Sequence, residues 1–255
     1  MHSAPGPVAL VGSGEYLPAL QDVEGALLAG RPPRYVQLAT AAAPEGAAVL
    51  RRWHDLGARA AERLGVEQVV VPVGDRDGAH DPANAALVAG AGLVYLSGGD
   101  PTYLTETLRG TPVWTAILAA WRDGASLAGC SAGAMALGAS VPRIRMPGRQ
   151  ALPGLGVVPG IEVLPHFDAF TRRMPDLVVR RLAGAPPGVR IVGVDEETAL
   201  VAGLDGWDGE PAGAGAVWQV RGRGSAWLID RGGRREVASG TGTTLGPPPG
   251  TARPA

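Results

Sequence analysis

The chain has 255 residues, 45% of them apolar and 18% charged, with a formal net charge of −1. That length suits one large α/β domain or two small ones, and the near-zero charge excludes a general attraction to nucleic acid or anionic lipid. All 23 basic residues are arginine, which excludes a lysine Schiff base and a P-loop; the single cysteine, Cys130, excludes an internal disulfide framework and argues against a zinc–cysteine site.

From the N-terminus, five short apolar runs read as strands: 7–12, 34–39, 66–73, 92–99 and 124–130. They are continuously apolar, as strands of a sheet buried on both faces are. Between the second and third, Val49, Trp53, Leu56, Ala60 and Leu64 recur every three to four residues, which predicts an amphipathic helix with Pro44 near its start and Gly65 just past its end. This alternation predicts a mostly parallel sheet with helices on both faces, a three-layer α/β architecture. Residues 140–160 are rich in Pro, Gly and Arg and read as a loop. Then come a strand in "IEVLPHF", a helix from about 171 to 183, the stretch "VRIVGVDEETALVA", and two short strands in "AVWQVRGRG" and "SAWLIDRGG". We expect one domain over residues 1–238 and a disordered tail over 239–255, whose apolar content is too low to pack.

Residues 129–133, Gly-Cys-Ser-Ala-Gly, match G-x-S-x-G between a strand and a helix. A turn that lifts a nucleophile above a sheet edge strains the backbone at the serine and admits only small neighbours, here Gly129, Ala132, Gly133 and Ala134. It also aims the first N–H groups of the next helix at a substrate, where they can stabilise an oxyanion. Ser131 holds the nucleophile position. Cys130, one residue earlier, points elsewhere and reads as a small buried hydrophobe.

A serine nucleophile needs a general base. Of the four histidines, His2 lies near the terminus, His54 on the amphipathic helix, and His80 among turn formers. His166 follows a strand and precedes a helix, where active-site residues of α/β sheets gather, and is the expected base. Asp195 and Glu196 end a buried strand, so a partner is expected for them. Glu196 facing His166 is one choice of orienting acid. Asp168 is too close to His166 in sequence to be an easy orienter, and Asp176 lies on a helix.

Three ordered motifs, "YLSGGDPTYL" (95–104), "AGCSAGAMAL" (128–137) and "VGVDEETALV" (192–201), together resemble the cyanophycinase and dipeptidase E group of serine peptidases. The ending "VWQVRGRGSAWLIDRGG" resembles the terminal β-hairpin of that group. The resemblance spans roughly residues 7 to 238. It implies a fold like that of class I glutamine amidotransferases, with serine in place of their nucleophilic cysteine. It implies Ser131 as nucleophile, His166 as base and Glu196 as acid. The Gly98–Gly99 turn, through Gly99, and Ala132 would supply the oxyanion donors. The chain departs from the group at Asp100–Pro101, and Arg172 and Arg173 stand in a looser arrangement than the arginines that hold acidic substrate parts there. Asp100 either selects a cationic substrate group or simply caps the helix beginning at Pro101.

"VGSGEY" (11–16) lacks a full dinucleotide-binding pattern, and Glu15 is placed where it can line the cleft. No cluster has metal-ligand spacing, and the scattered aromatics support no nucleic-acid partner. With no run of 18 apolar residues and no signal-peptide pattern, the expectation is a soluble cytoplasmic protein with no membrane partner. The expected activity is hydrolysis of a peptide or isopeptide bond in a small peptide substrate, such as an aspartyl dipeptide or a cyanophycin-like one, without cofactor or metal. A homodimer is the assembly that family habit suggests. The alternatives are an amidotransferase-like protein and a non-catalytic binding or regulatory protein of the same fold.

Overall fold

The computed structural model describes residues 4–142, 151–171, 174–206, 216–230 and 233–245. Strands β1 (Val8–Val11), β2 (Arg34–Leu38), β3 (Glu67–Val70), β4 (Leu93–Leu96) and β5 (Ser126–Cys130) fall inside the five apolar runs. Helices α1 (Gln21–Leu28), α2 (Ala47–Leu64), α3 (Arg76–His80), α4 (Pro82–Ala86), α5 (Pro101–Leu108), α6 (Pro112–Arg122) and α7 (Ala132–Leu137) connect or follow them. After α7 come β6 (Ser140–Val141), β7 (Leu152–Pro153), β8 (Ile161–Leu164), α8 (Asp176–Ala183), β9 (Arg190–Val194), β10 (Thr198–Ala202), β11 (Val217–Gly222), β12 (Ser225–Asp230), β13 (Gly233–Ala238) and β14 (Gly242–Thr244).

The large sheet has eight strands in the order β14-β11-β10-β1-β5-β4-β2-β3. Its β1–β5, β5–β4, β4–β2 and β2–β3 pairs are parallel, and β10, β11 and β14 add antiparallel neighbours on one side. Successive side chains alternate between faces, so the apolar runs feed two cores. Leu10, Leu38, Leu96 and Leu127 face one core with Trp114 and Ile117 of α6. Ala9, Val11, Tyr95 and Cys130 face the other with Leu27 of α1 and Ala60 of α2. That is why β1 and β4 lack a polar alternate position, whereas the edge strand β3 carries an exposed Glu67. Helix α2 ends at Gly65, whose N–H bonds back to the carbonyls of Ala61 and Glu62. Among the described residues no helix is long and apolar enough to cross a membrane.

Four features differ from the sequence reading. First, a second, four-stranded sheet, β13-β12-β9-β8, packs beside the large one. Second, the two strands expected to form a terminal hairpin do not pair with each other. β11 joins β10 in the large sheet, and the chain then crosses at Gly222–Gly224 so that β12 pairs with β9 and forms its hairpin with β13. Strand patterning is local and carries no record of the partner strand. Third, the body of the protein extends past residue 238: β14 pairs with β11, and Leu245 is 1% exposed. One leucine and three edge hydrogen-bonding residues suffice to dock a segment whose average composition is polar. Fourth, a π-helical turn at Phe167–Thr171 precedes α8, which begins only after Pro175 because proline disfavours helix in the residue before it. The expected 140–160 loop contains the short β6–β7 pair, and residues 143–150 lie outside the described residues.

Burial raises the carboxyls of two core acids, Glu162 and Glu24. Glu162 on β8 is fully buried; Ser140 Oγ–H donates to its Oε2, and its Oε1 has no partner among the described residues. Burial pushes its carboxyl from 4.5 up to about 8, the Ser140 bond pulling back only in part. Burial likewise raises Glu24 to about 7. The folded state therefore keeps protons that the unfolded chain releases near pH 4.5. The contribution of these two acids to stability falls as pH rises from there to about 8, by roughly several kcal/mol in total, and levels off above that. Glu162→Gln is expected to raise Tm at pH 9 relative to wild type and leave it nearly unchanged at pH 5. Thermal unfolding at the two pH values reads this, and an unchanged Tm difference between them would contradict it.

Candidate active site

The parallel arrangement puts the C-terminal ends of β1, β4 and β5 at one edge of the large sheet, side by side. Ser131 follows β5 directly. Its backbone sits at φ 50° and ψ −109°, a strained conformation for a residue with a Cβ, and its N–H donates to the Val11 carbonyl at 2.9 Å. The bend closes tightly. A Cβ on Gly129 would lie 2.4 Å from the Gly133 carbonyl carbon, and one on Gly133 would lie 2.2 Å from the Leu96 oxygen. Ala132, Gly133 and Ala134 are buried beneath it.

The small sheet delivers the remaining groups. His166 follows β8 and Glu196 follows β9, and these two strands are parallel neighbours, so their C-terminal ends coincide. His166, itself at φ 50°, places Nε2 3.0 Å from Ser131 Oγ. Its Nδ1 lies 2.8 Å from Glu196 Oε1. With Nδ1–H donating to the carboxylate, Nε2 carries a lone pair that can accept a proton from the serine. The side chains of His166 and Glu196 are 30% and 45% exposed, so a substrate and water can reach them.

The other acids sort out by contact. Asp168 Oδ1 accepts the Glu196 backbone N–H at 2.9 Å and so holds that residue in place. Asp195 is 4% exposed and accepts from the Ser225 N–H and the Trp227 indole N–H, which fastens β9 to β12. Asp100 Oδ1 accepts the Thr102 and Tyr103 N–H groups, so this residue caps α5. Arg172 and Arg173 lie outside the described residues. A cavity of about 450 Å³ opens beside the acid, lined in part by Ser13, Leu17, Asp168, Glu196 and Glu197. Arg223 also lines it and pairs with Glu197 at 2.6 Å. The sequence reading missed Arg223, because nothing local marks a residue at a crossing between two sheets.

Gly98 and Gly99 follow β4. A Cβ on Gly98 would lie 3.5 Å from Ser131 Cβ, so this turn backs onto the serine. Gly99 has φ 140°, and a Cβ there would lie 2.3 Å from the Ala41 carbonyl; only glycine fits. The Gly98 N–H is taken by Glu15 Oε1 at 2.9 Å. Among the described residues the N–H groups of Gly99 and Ala132 have no acceptor. Glu15 does not line the cleft: it is 5% exposed, and its Oε2 accepts the Cys130 thiol at 2.8 Å. Burial, and after it the facing Glu15 carboxylate, push the Cys130 thiol up, so it stays protonated. Among the described residues no group of three or more His, Cys, Asp or Glu is placed to hold a metal ion.

The model of peptidase family S51 matches residues 62–206, a span that contains the elbow, His166 and Glu196. Among solved structures, a peptidase from an acI-B1 Actinobacterium is 37% identical with TM-score 0.82, over 94% of this chain and 97% of that one. A putative peptidase E protein from Listeria monocytogenes EGD-e, 18% identical, shares the fold with TM-score 0.54 over 78% of this chain and 94% of that one. Comparison with curated proteins gives no match. The family match and the high-coverage relative bear out the resemblance to the cyanophycinase and dipeptidase E group, and the chain belongs to peptidase family S51 as a serine-type peptidase.

Proposed function

We propose that the chain hydrolyses a peptide or isopeptide bond in a small peptide through Ser131, His166 and Glu196, on a nucleophile elbow. The observation that carries this reading is the continuous line of two hydrogen bonds, 3.0 and 2.8 Å, from Ser131 Oγ through the imidazole to the Glu196 carboxylate. Ser131 Oγ attacks the scissile carbonyl as His166 Nε2 takes its proton. The resulting oxyanion accepts hydrogen bonds from the N–H groups of Gly99 and Ala132, each such donor contributing about 3–4 kcal/mol to the transition state. His166 then protonates the leaving amine, which departs and leaves an acyl-serine. Water, deprotonated by the same imidazole, attacks the ester and releases the acid.

Aspartyl dipeptides, isoaspartyl dipeptides and cyanophycin-like β-linked peptides are the substrates to test first, on the ground of family. An amidotransferase-like reaction is disfavoured, because Cys130 carries a protonated thiol turned into the core toward Glu15. A buried free thiol suits a cytoplasmic setting.

A fluorophosphonate probe tests the reading without knowledge of the substrate. Native protein is expected to carry one phosphonyl group, on Ser131 by peptide mass mapping, and His166→Ala to label at least about 10³-fold more slowly. Labelling elsewhere, or equal labelling of the variant, would remove the hydrolytic assignment of these residues.

A further inference from the structure

Glu15 is a buried acid outside the Ser131–His166–Glu196 line, yet it touches both turns that surround the serine. Burying a carboxylate is costly unless its oxygens are bonded. Each oxygen of Glu15 has one partner: Oε1 accepts the Gly98 N–H at 2.9 Å and Oε2 accepts the Cys130 thiol at 2.8 Å. Cys130 is the residue immediately before Ser131, and Gly98 is the residue immediately before Gly99. A single side chain from the loop after β1 therefore ties the turn after β4 to the bend after β5.

The packing at this junction leaves little slack. A Cβ on Gly98 would lie 3.0 Å from Glu15 Oε1 on one side and 3.5 Å from Ser131 Cβ on the other. Gly98 is thus held between the carboxylate and the serine. With its N–H committed to Glu15, the adjoining Gly99 N–H is, among the described residues, the amide of this turn left without an acceptor. Glycines at 98 and 99 offer little resistance to rotation, so an unanchored turn would sample orientations in which that amide faces away from a substrate carbonyl.

We propose that Glu15 is a positioning residue of the peptidase: it fixes the Gly98–Gly99 turn against Ser131 so that the Gly99 N–H meets the developing oxyanion. Cys130 is the donor that orients Glu15. This inference rests on the reading of Ser131 and Gly99 given above.

Kinetics of three variants test it, on whichever dipeptide of an aspartyl and isoaspartyl panel the wild type turns over fastest. Glu15→Ala removes the acceptor and is expected to lower kcat about 10²-fold with KM within about twofold, as loss of one oxyanion donor does. Glu15→Met keeps most of the volume without the acceptor and is expected to do the same. Glu15→Gln keeps an acceptor for the Gly98 N–H and is expected to restore kcat to within about fivefold of wild type. A folded Glu15→Ala or Glu15→Met protein with kcat within threefold of wild type would overturn the proposal. So would a parallel loss of kcat in all three, or failure of both apolar variants to fold while Glu15→Gln is fully active, which would assign Glu15 to the fold alone. Absence of turnover and of Ser131 labelling in the wild type would instead remove the reading beneath it.

Discussion

Ser131→Ala is expected to lower kcat roughly 10⁵- to 10⁶-fold and to abolish fluorophosphonate labelling while leaving the folded state intact. Among the described residues the hydroxyl makes one hydrogen bond, to His166, and no other group at the bend supplies a nucleophile; Cys130 is buried with its thiol on Glu15. Activity left in the variant would come from oriented amides acting on bound substrate and water. The stability readout is more informative still. Ser131 sits at φ 50°, a region where a Cβ costs about 1–3 kcal/mol and glycine costs much less. Ser131→Gly is therefore expected to be equally inactive yet to melt about 2–4 °C higher than wild type for each kcal/mol of strain released. Retention of more than a few per cent of turnover in either variant would rule out Ser131 as the nucleophile. An unchanged or lower Tm for Ser131→Gly would show that the bend is not held under strain by the fold around it.

Glu196→Gln is expected to lower kcat about 10⁴-fold with little change in KM or Tm. The carboxylate accepts from His166 Nδ1–H, which leaves Nε2 unprotonated and facing the serine. A carboxamide can present its NH₂ group to Nδ1, which selects the other tautomer and aims a proton at Ser131 Oγ, where none can be accepted in the attack step. The position of residue 196 does not depend on its own side chain, because Asp168 holds the backbone N–H. Glutamine should therefore occupy the same place, and the loss should come from protonation alone. Phosphonylation of Ser131 in the variant, followed by mass, is expected to slow to a similar degree. Full activity in Glu196→Gln would transfer the acid role to another carboxylate, Asp168 being the nearest candidate.

The local features of this protein were legible because local sterics write them. A bend in which Gly129 and Gly133 back onto each other admits no larger side chain, so a small-residue signature surrounds Ser131. Strands β1, β4 and β5 are buried at every position, so they show as unbroken apolar runs. His166 could be selected from four histidines because a strand end followed by a turn is visible in the chain itself. The acid was a harder choice. Asp195 and Glu196 are adjacent and chemically alike, and only the direction of the β9 terminus sends one inward to Ser225 and Trp227 and the other outward to His166.

By itself, then, the amino-acid order determined the α/β layering, the tight small-residue bend around Ser131, and the place of His166 at a strand end, each through constraints spanning a few residues. Tertiary structure alone decided that His166 and Glu196 arrive on a separate small sheet. It alone assigned β11 and β12 to different sheets, turned Asp168 into the support of Glu196, and joined Glu15 to both Gly98 and Cys130. Those contacts link residues 28 to 115 positions apart. Their energies depend on which surfaces meet after folding, and a polar side chain looks the same in sequence whether it ends in solvent or between two turns.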